Sequence, residues 1–250
     1  MDGRPVDSMT AENFDGIEPP NAHDRGLTFG PSIEPFHERI DPDLVDDVYV
    51  VGDVHGCIDE LRALWARLDP DSTDLVVFVG DLVRKGPASQ AVVEFVAARD
   101  NALSVRGNNE AKLLGGQADP PWAPDVVSTL TRMPLVVSWG DGLAVHGGVH
   151  PKRSFDEHDR EDLLEMRAIP PGNGYDGPFW FDHYDGPPRV FFGHTVLDSP
   201  FVGDGAVGLD TGCVYGGTLT AYDTTRDRTV GVPAEETYRE RDHEKILDPR

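Results

Sequence analysis

VYVVGDVHGC, residues 48 to 57, is the stretch that decides how this chain is read. Val48, Tyr49, Val50 and Val51 form the short unbroken apolar run of a strand buried on both faces, and the run ends in Gly52, Asp53, Val54, His55, Gly56. Glycine on either side lets the backbone turn sharply, so Asp53 and His55 can both face a crevice at the carboxyl end of a sheet, where α/β proteins place their chemistry. A solvated surface turn is the alternative for this word alone, and the rest of the chain decides between them.

Working outward, Ile58 to Leu68 places Ile58, Leu61, Leu64, Trp65 and Leu68 at helical spacing, which predicts a helix covering the sheet. Leu75 to Val79 is a second buried strand ending in Gly80 and Asp81, followed by Leu82, Val83, Arg84, Lys85, Gly86 and Pro87. A helix over Ala88 to Ala98 and a strand over Leu103 to Val105 lead into Arg106, Gly107, Asn108, Asn109, Glu110. Ala111 to Met133 reads as irregular connections around a short helix. Leu135 to Ser138 and Leu143 to Val145 read as strands around Gly140, Asp141 and Gly142, the second ending in His146, Gly147, Gly148; Arg189 to Phe192 ends in Gly193, His194, Thr195. Ala206 to Leu209 and Thr218 to Tyr222 are further strands flanking Asp210, Thr211, Gly212 and Cys213. Right-handed crossovers put successive strand ends on one edge, so these side chains are expected to converge.

Residues 1 to 28, acidic and without periodicity, are expected to be a disordered leader. The domain is expected over 29–233, with a Pro- and Gly-rich insertion at 150–188 carrying Phe179, Trp180, Phe181 and Tyr184 as a cap over the site, and a polar tail over 234–250.

The 250 residues carry a formal net charge of -23, spread along the chain, and only Lys85, Lys112, Lys152 and Lys245 are lysines. Such a surface repels nucleic-acid backbones and anionic membranes, which excludes nonspecific nucleic-acid binding and a membrane partner, and it suits a halophile. Cys57 and Cys213 are too few for a disulfide framework and form no CxxC pair; with no signal peptide or long apolar span in the sequence, a cytoplasmic location is expected.

Together the strand ends supply Asp53, His55, Asp81, Asn108, His146 and His194. Two carboxylates, an amide oxygen and three imidazoles without a thiolate suit a pair of borderline divalent ions such as Mn, Fe, Zn or Co. Ions ~3.5–4 Å apart, sharing Asp81, would clamp phosphate oxygens and lower the pKa of a water, the chemistry of phosphoester hydrolysis.

GDVHG at 52–56, GDLVRKGP at 80–87, GNNE at 107–110, HGG at 146–148 and GHT at 193–195 together resemble the calcineurin-like metallophosphoesterases in their phosphoprotein-phosphatase form. LDTGCVYGGTLTAY, 209 to 222, is similar to the bacterial branch containing symmetrical diadenosine tetraphosphatases and the phosphatase module of polynucleotide kinase-phosphatases. The resemblance implies an α/β, four-layer αββα sandwich, with Asp53, His55 and Asp81 on the first metal and Asp81, Asn108, His146 and His194 on the second, Mn being the first expectation for both. Its members cleave phosphoproteins, nucleoside polyphosphates and nucleic-acid ends.

The chain departs from the family pattern at two places. Arg84-Lys85 stands where Asp-Arg is usual, so phosphate would meet the point charge of Lys85, with Arg84 beside it, in place of a bidentate fork. Asn109 stands where the family has its general-acid His, and an amide cannot donate a proton in that role. Arg167 resembles the family's second phosphate-binding arginine. Asp210 and Cys213 are read as structural. The expectation is a cytoplasmic phosphohydrolase using a metal-activated water on phosphoanhydrides such as dinucleoside polyphosphates; the alternatives are a serine/threonine protein phosphatase and a metal-binding pseudophosphatase or regulatory module. His150 and His183, in the neighbouring loop and insertion, are the candidates for a replacement acid.

Overall fold

The computed structural model describes residues 27–116 and 123–249, so all but the last two residues of the expected leader, and part of the 111–133 connection, lie outside the described residues. Two sheets stack face to face. One runs β11 (Arg228–Pro233), β10 (Thr218–Asp223), β2 (Val48–Val51), β3 (Leu75–Phe78), β4 (Ala102–Ser104); the other runs β1 (His37–Ile40), β5 (Val136–Trp139), β6 (Gly142–Ala144), β7 (Arg189–Phe192), β9 (Ala206–Gly208), β8 (Phe201–Val202).

The side-chain period of two sorts each strand between layers. Val48 and Val50 point into the space between the sheets, where they join Val77, Val137, Phe191 and Val207, whereas Tyr49, Val51, Val76 and Phe78 point outward. Those outward residues meet Leu61, Leu64 and Leu68 of α1 (Ile58–Leu68), Val92, Val93 and Val96 of α2 (Ser89–Ala97), and Val126 and Leu130 of α4 (Pro124–Arg132). Strands buried on both faces must be apolar throughout, which is why VYVV and LVVF lack the alternation of a half-exposed strand.

Covering the outer face of the six-stranded sheet are Phe29, Ile33, Leu163 of α5 (Arg160–Glu165), Trp180 and Phe181. The aromatic run of the 150–188 insertion therefore lies on the sheet as its fourth layer, with Phe181 stacked on Phe192 at 5.0 Å and Trp180 edge-on to it at 4.8 Å, while Arg167 and Tyr175 of the same insertion reach the site. The polar tail is also placed on the domain: Ala234 and Tyr238 pack against the α1 side, and Leu247 pairs with Leu197.

Strands β2, β3 and β4 are parallel neighbours, as are β6, β7 and β9, so each set ends on one edge. Three strands had no counterpart in the sequence reading: β1, β8 and β11. β1 is HERI, partly exposed and held parallel to β5; β11 is antiparallel to β10, with only Val232 buried. α3 (Asn108–Leu114) begins directly at the Asn-Asn pair, earlier than the irregular reading of 111–133 implied.

Candidate metal centre

Asp53, His55, Asp81, Asn108, Asn109, His146 and His194 are all buried at the strand ends. The glycines beside them leave room for the carboxylates: a Cβ on Gly107 would strike Asp81 Oδ1, and one on Gly193 would strike Asp53 Oδ1. His55, Asp81 and His194 themselves adopt positive φ of 48°, 53° and 64°, as do Arg84 and Lys85 at 69° and 67°. Non-glycine residues persist in that region only where surrounding contacts over-determine them, and such positions cluster at functional sites.

Two imidazoles have their tautomers set by the backbone. His55 Nδ1 lies 3.0 Å from the Val83 carbonyl and His146 Nδ1 lies 2.7 Å from that of Val79. A carbonyl only accepts, so each Nδ1 carries the proton and each Nε2 turns a lone pair inward. Burial, then the nearby Lys85 charge, lowers the His55 pKa to about 4, keeping the ring neutral.

Asp81 lies between them: Oδ2 is 3.5 Å from His55 Nε2 and Oδ1 is 3.4 Å from His146 Nε2. Burial would raise its pKa, but His146, His55 and Lys85 with the Asn109 N–H hold it below the ordinary carboxylate range. Asp53 behaves oppositely, raised well above that range by burial and by the charges of Asp210 and Asp81.

The donor set of Asp53, His55 and Asp81 converges within 4.8 Å. His146 Nε2, fully buried, has no hydrogen-bond partner and faces the carboxylate of Asp81, acceptor against acceptor. A divalent cation resolves that repulsion, so the residues fit the group their types imply. His194 lies beside His146, ring centroids 5.0 Å apart; its Nδ1 accepts from Arg167 Nη2 at 3.3 Å, and its Nε2 is 3.5 Å from Glu165. Asn108 Oδ1 accepts from Asn109 Nδ2 at 2.9 Å.

Asn109 turns its amide inward, donating from Nδ2 to Asp81 Oδ2 and from its backbone N–H to Oδ1 at 2.9 Å. Lys85 Nζ lies 2.6 Å from His55 Nε2 and 5.4 Å from the Tyr215 ring centroid. Burial works against the Lys85 charge, but Asp81, Tyr215 and Asp210 more than offset it, raising its pKa. Arg84 and Lys85 line a basin of about 700 Å³ at whose edge Asn109 sits.

Sequence reasoning gave no role to Glu110, Glu165, Tyr175, Tyr215 and Arg241. Glu110, 0% exposed, accepts from the N–H groups of Asp81 at 2.9 Å, Val83 at 3.1 Å and Gly107 at 2.8 Å, tying the second strand end to the third. Burial, then the charge of Asp81, raises its pKa to about 7. Its signal was the third helical position after Gly107, where a carboxylate reaches back to the helix start.

Residues 47–209 match the model of the calcineurin-like phosphoesterases. The chain belongs to that family. It is a hydrolase acting on phosphoric ester or anhydride bonds, and its fold implies divalent metals. Among its relatives, the asymmetrical bis(5'-nucleosyl)-tetraphosphatase PrpE of Anoxybacillus flavithermus is 28% identical, over 76% of this chain and 95% of the relative. The symmetrical bis(5'-nucleosyl)-tetraphosphatase of Vibrio parahaemolyticus is 25% identical, over 69% and 93%. A crystal structure described as that of "a putative diadenosine tetraphosphatase" superposes with a TM-score of 0.71 at 30% identity, over 79% of this chain and 97% of that one. A protein serine/threonine phosphatase from Saccharomyces cerevisiae, at 15% identity and TM-score 0.59, shares the fold, covering 83% of this calcineurin-like phosphoesterase and 84% of its own chain. No helix among the described residues is long and apolar enough to cross a membrane.

Proposed function

We propose that this phosphoesterase hydrolyses phosphoanhydrides, with dinucleoside polyphosphates as the first substrate class, in a cytoplasm of high salt. Asp53, His55 and Asp81 would hold one divalent ion and Asp81, Asn108, His146 and His194 a second, Mn being the first choice for a set of imidazoles and carboxylates. Such ions supply Lewis acidity, neutralising phosphate charge and acidifying a water at neutral pH.

The observation that carries the substrate reading is that an amide, Asn109, stands beside Asp81 where an acid would be needed. Its amide is spent on Asp81, and an amide in any orientation has no proton to give. Glu110 does not replace it, because the fully buried carboxylate is occupied by three backbone N–H groups. An alkyl phosphate expels an alkoxide that needs a proton; an anhydride expels a phosphate oxygen already stable as an anion. Lys85 and Arg84, which line the basin beside Asn109, would stabilise that anion electrostatically, and Arg167, beside His194, would hold phosphate. The names of the relatives, bis(5'-nucleosyl)-tetraphosphatases, support the same reading.

The test is initial rates with Mn on diadenosine tetraphosphate and on a phosphoserine peptide. The anhydride is expected to be preferred by at least ~10²-fold in kcat/KM, the low end of what a positioned acid contributes. Equal efficiency on the two would overturn the proposal in favour of the protein-phosphatase alternative.

A further inference from the structure

The basin beside the metal centre departs from the composition of the rest of the protein. In a chain of net charge -23, its lining carries Arg84, Lys85, Lys112, Arg239, Arg241 and Lys245 against two acidic residues. Three of the four lysines in the whole sequence are among them. Six of the 22 basic residues thus meet in one place, next to the groups that would meet the scissile phosphate. Half of those cations come from residues 239–245, beyond the 47–209 stretch that the family model matches.

Arg241 is the centre of this arrangement. Its Nη1 donates to Tyr215 Oη at 3.1 Å, its Nη2 to Tyr175 Oη at 2.6 Å, and its Nε to the Lys245 carbonyl at 2.9 Å. All three acceptors are neutral, so the guanidinium is positioned without being neutralised. Its carbon lies 4.8 Å from the Tyr215 centroid and 5.5 Å from that of Tyr175. The two tyrosines also carry Lys85 and Arg167, at 5.4 Å and 5.3 Å from their respective centroids. One cation of the C-terminal segment is thus fixed between the two that flank the metal ligands. Like charges held together this way repel one another, an arrangement whose cost is recovered when a polyanion enters.

We propose that this basin binds the phosphate chain beyond the scissile phosphate, Arg241 gripping the next phosphate and Arg239 and Lys245 those farther out, so that the site takes molecules with three or more linked phosphates. The inference rests on the anhydride reading above, and sharpens it from bond type to chain length. The shared chemistry is a linear polyphosphate, carried by a dinucleotide or free as the inorganic polymer.

The test is equilibrium titration of the full chain, without added metal, with orthophosphate, inorganic tripolyphosphate and diadenosine tetraphosphate. Tripolyphosphate is expected to bind at least ~10-fold more tightly than orthophosphate, the worth of one charge-assisted hydrogen bond. Arg241→Gln, or Arg239→Gln with Lys245→Gln should the first variant fail to fold, is expected to remove most of that advantage. In the Mn enzyme the same variants should lower kcat/KM for the dinucleotide at least ~10-fold more than for p-nitrophenyl phosphate, which has no further phosphate. Tripolyphosphate bound no better than orthophosphate, or an advantage untouched in folded variants, overturns the proposal even if the enzyme cleaves anhydrides. Conversely, tight chain binding without anhydride turnover overturns the earlier reading alone. Preference for the dinucleotide or for the inorganic chain supports the site either way and decides the source.

Discussion

The cradle of proposed metal ligands and the basic basin beside it meet at Asn109 and Lys85, but their construction differs. In the cradle, Asp53, His55, Asp81 and His146 are at most 3% exposed, and backbone groups set their orientation: carbonyls on the imidazoles, N–H groups on the carboxylates. In the basin the cations are held by aromatic rings, hydroxyls and exposed carboxylates, as in the Lys245–Asp242 pair at 3.4 Å. A buried ligand set loses function with any single change, whereas an open rim of cations can be altered one charge at a time. The first should fix what chemistry is done, and the second what it is done to.

The largest expected effect breaks the cradle. Asp81→Asn removes the carboxylate shared between His55 and His146, and we expect metal affinity and turnover to fall by well over ~100-fold, since even outer partners of metal ligands cost ~10–100-fold. Metal titration by calorimetry, alongside a circular-dichroism melt showing a folded protein, checks it; retained metal binding would remove Asp81 from the centre.

Next is the residue where the two regions touch. Asn109→His restores an ionisable ring at the position of the missing acid, and is expected to raise kcat/KM on phosphoserine peptides by up to ~10²-fold while changing diadenosine tetraphosphate hydrolysis far less. A parallel rise on both substrates would mean that Asn109 acts through Asp81 rather than on the leaving group.

Salt should move the two regions in opposite directions. Screening shortens from ~10 Å at 0.1 M to ~3 Å at 1 M, so molar KCl relieves repulsion across the acidic surface and weakens attraction into the basin. The melting temperature is expected to rise by several degrees while tripolyphosphate affinity falls; melts and titrations in the same buffers read both. Parallel responses would break the distinction.

The smallest expected effect lies away from both regions, at His37. Burial, then the charge of Arg39, lowers its pKa to about 4, and its Nε2 is 2.8 Å from Ser138 Oγ. A base whose folded pKa is depressed contributes stability that is present above its unfolded value near 6.5 and is lost as pH falls toward 4. After discounting for solvent screening of this partly exposed residue, the loss should be on the order of 2 kcal/mol, seen in urea melts between pH 7 and 4, and His37→Gln should flatten that slope.

The cradle was legible because each ligand stands in a self-contained word, an apolar run closed by glycine and a polar side chain, and a buried strand needs no distant information to be recognised. GDVHG, GDL, HGG and GHT each announce both a strand end and a polar side chain that the fold brings to the cradle. The basin was not legible. Arg239, Arg241 and Lys245 come from a segment without periodicity, whose placement rests on a few contacts such as Tyr238 on the α1 side and Leu247 against Leu197. Tyr175 and Tyr215 are separated from Arg241 by 66 and 26 positions, and only the fold brings them within hydrogen-bond reach. β1 was missed for a related reason: two of the four residues of HERI are exposed, so its strand character comes from β5 and not from its own pattern.

The antiparallel pairing of β10 with β2 has a consequence for how the protein comes into being. Val51 pairs with Ala221 and Tyr49 with Asp223, across most of the chain. While the polypeptide emerges from the ribosome, β2 can find β3 within seconds of synthesis, but its other edge stays open until β10 has been made. During that interval a short, fully apolar strand with free N–H and C=O groups is exposed to other nascent chains, the kind of edge that templates intermolecular pairing. The strand that ends at Asp53 and His55 is therefore also one whose second edge is closed late, after nearly the whole domain has been made.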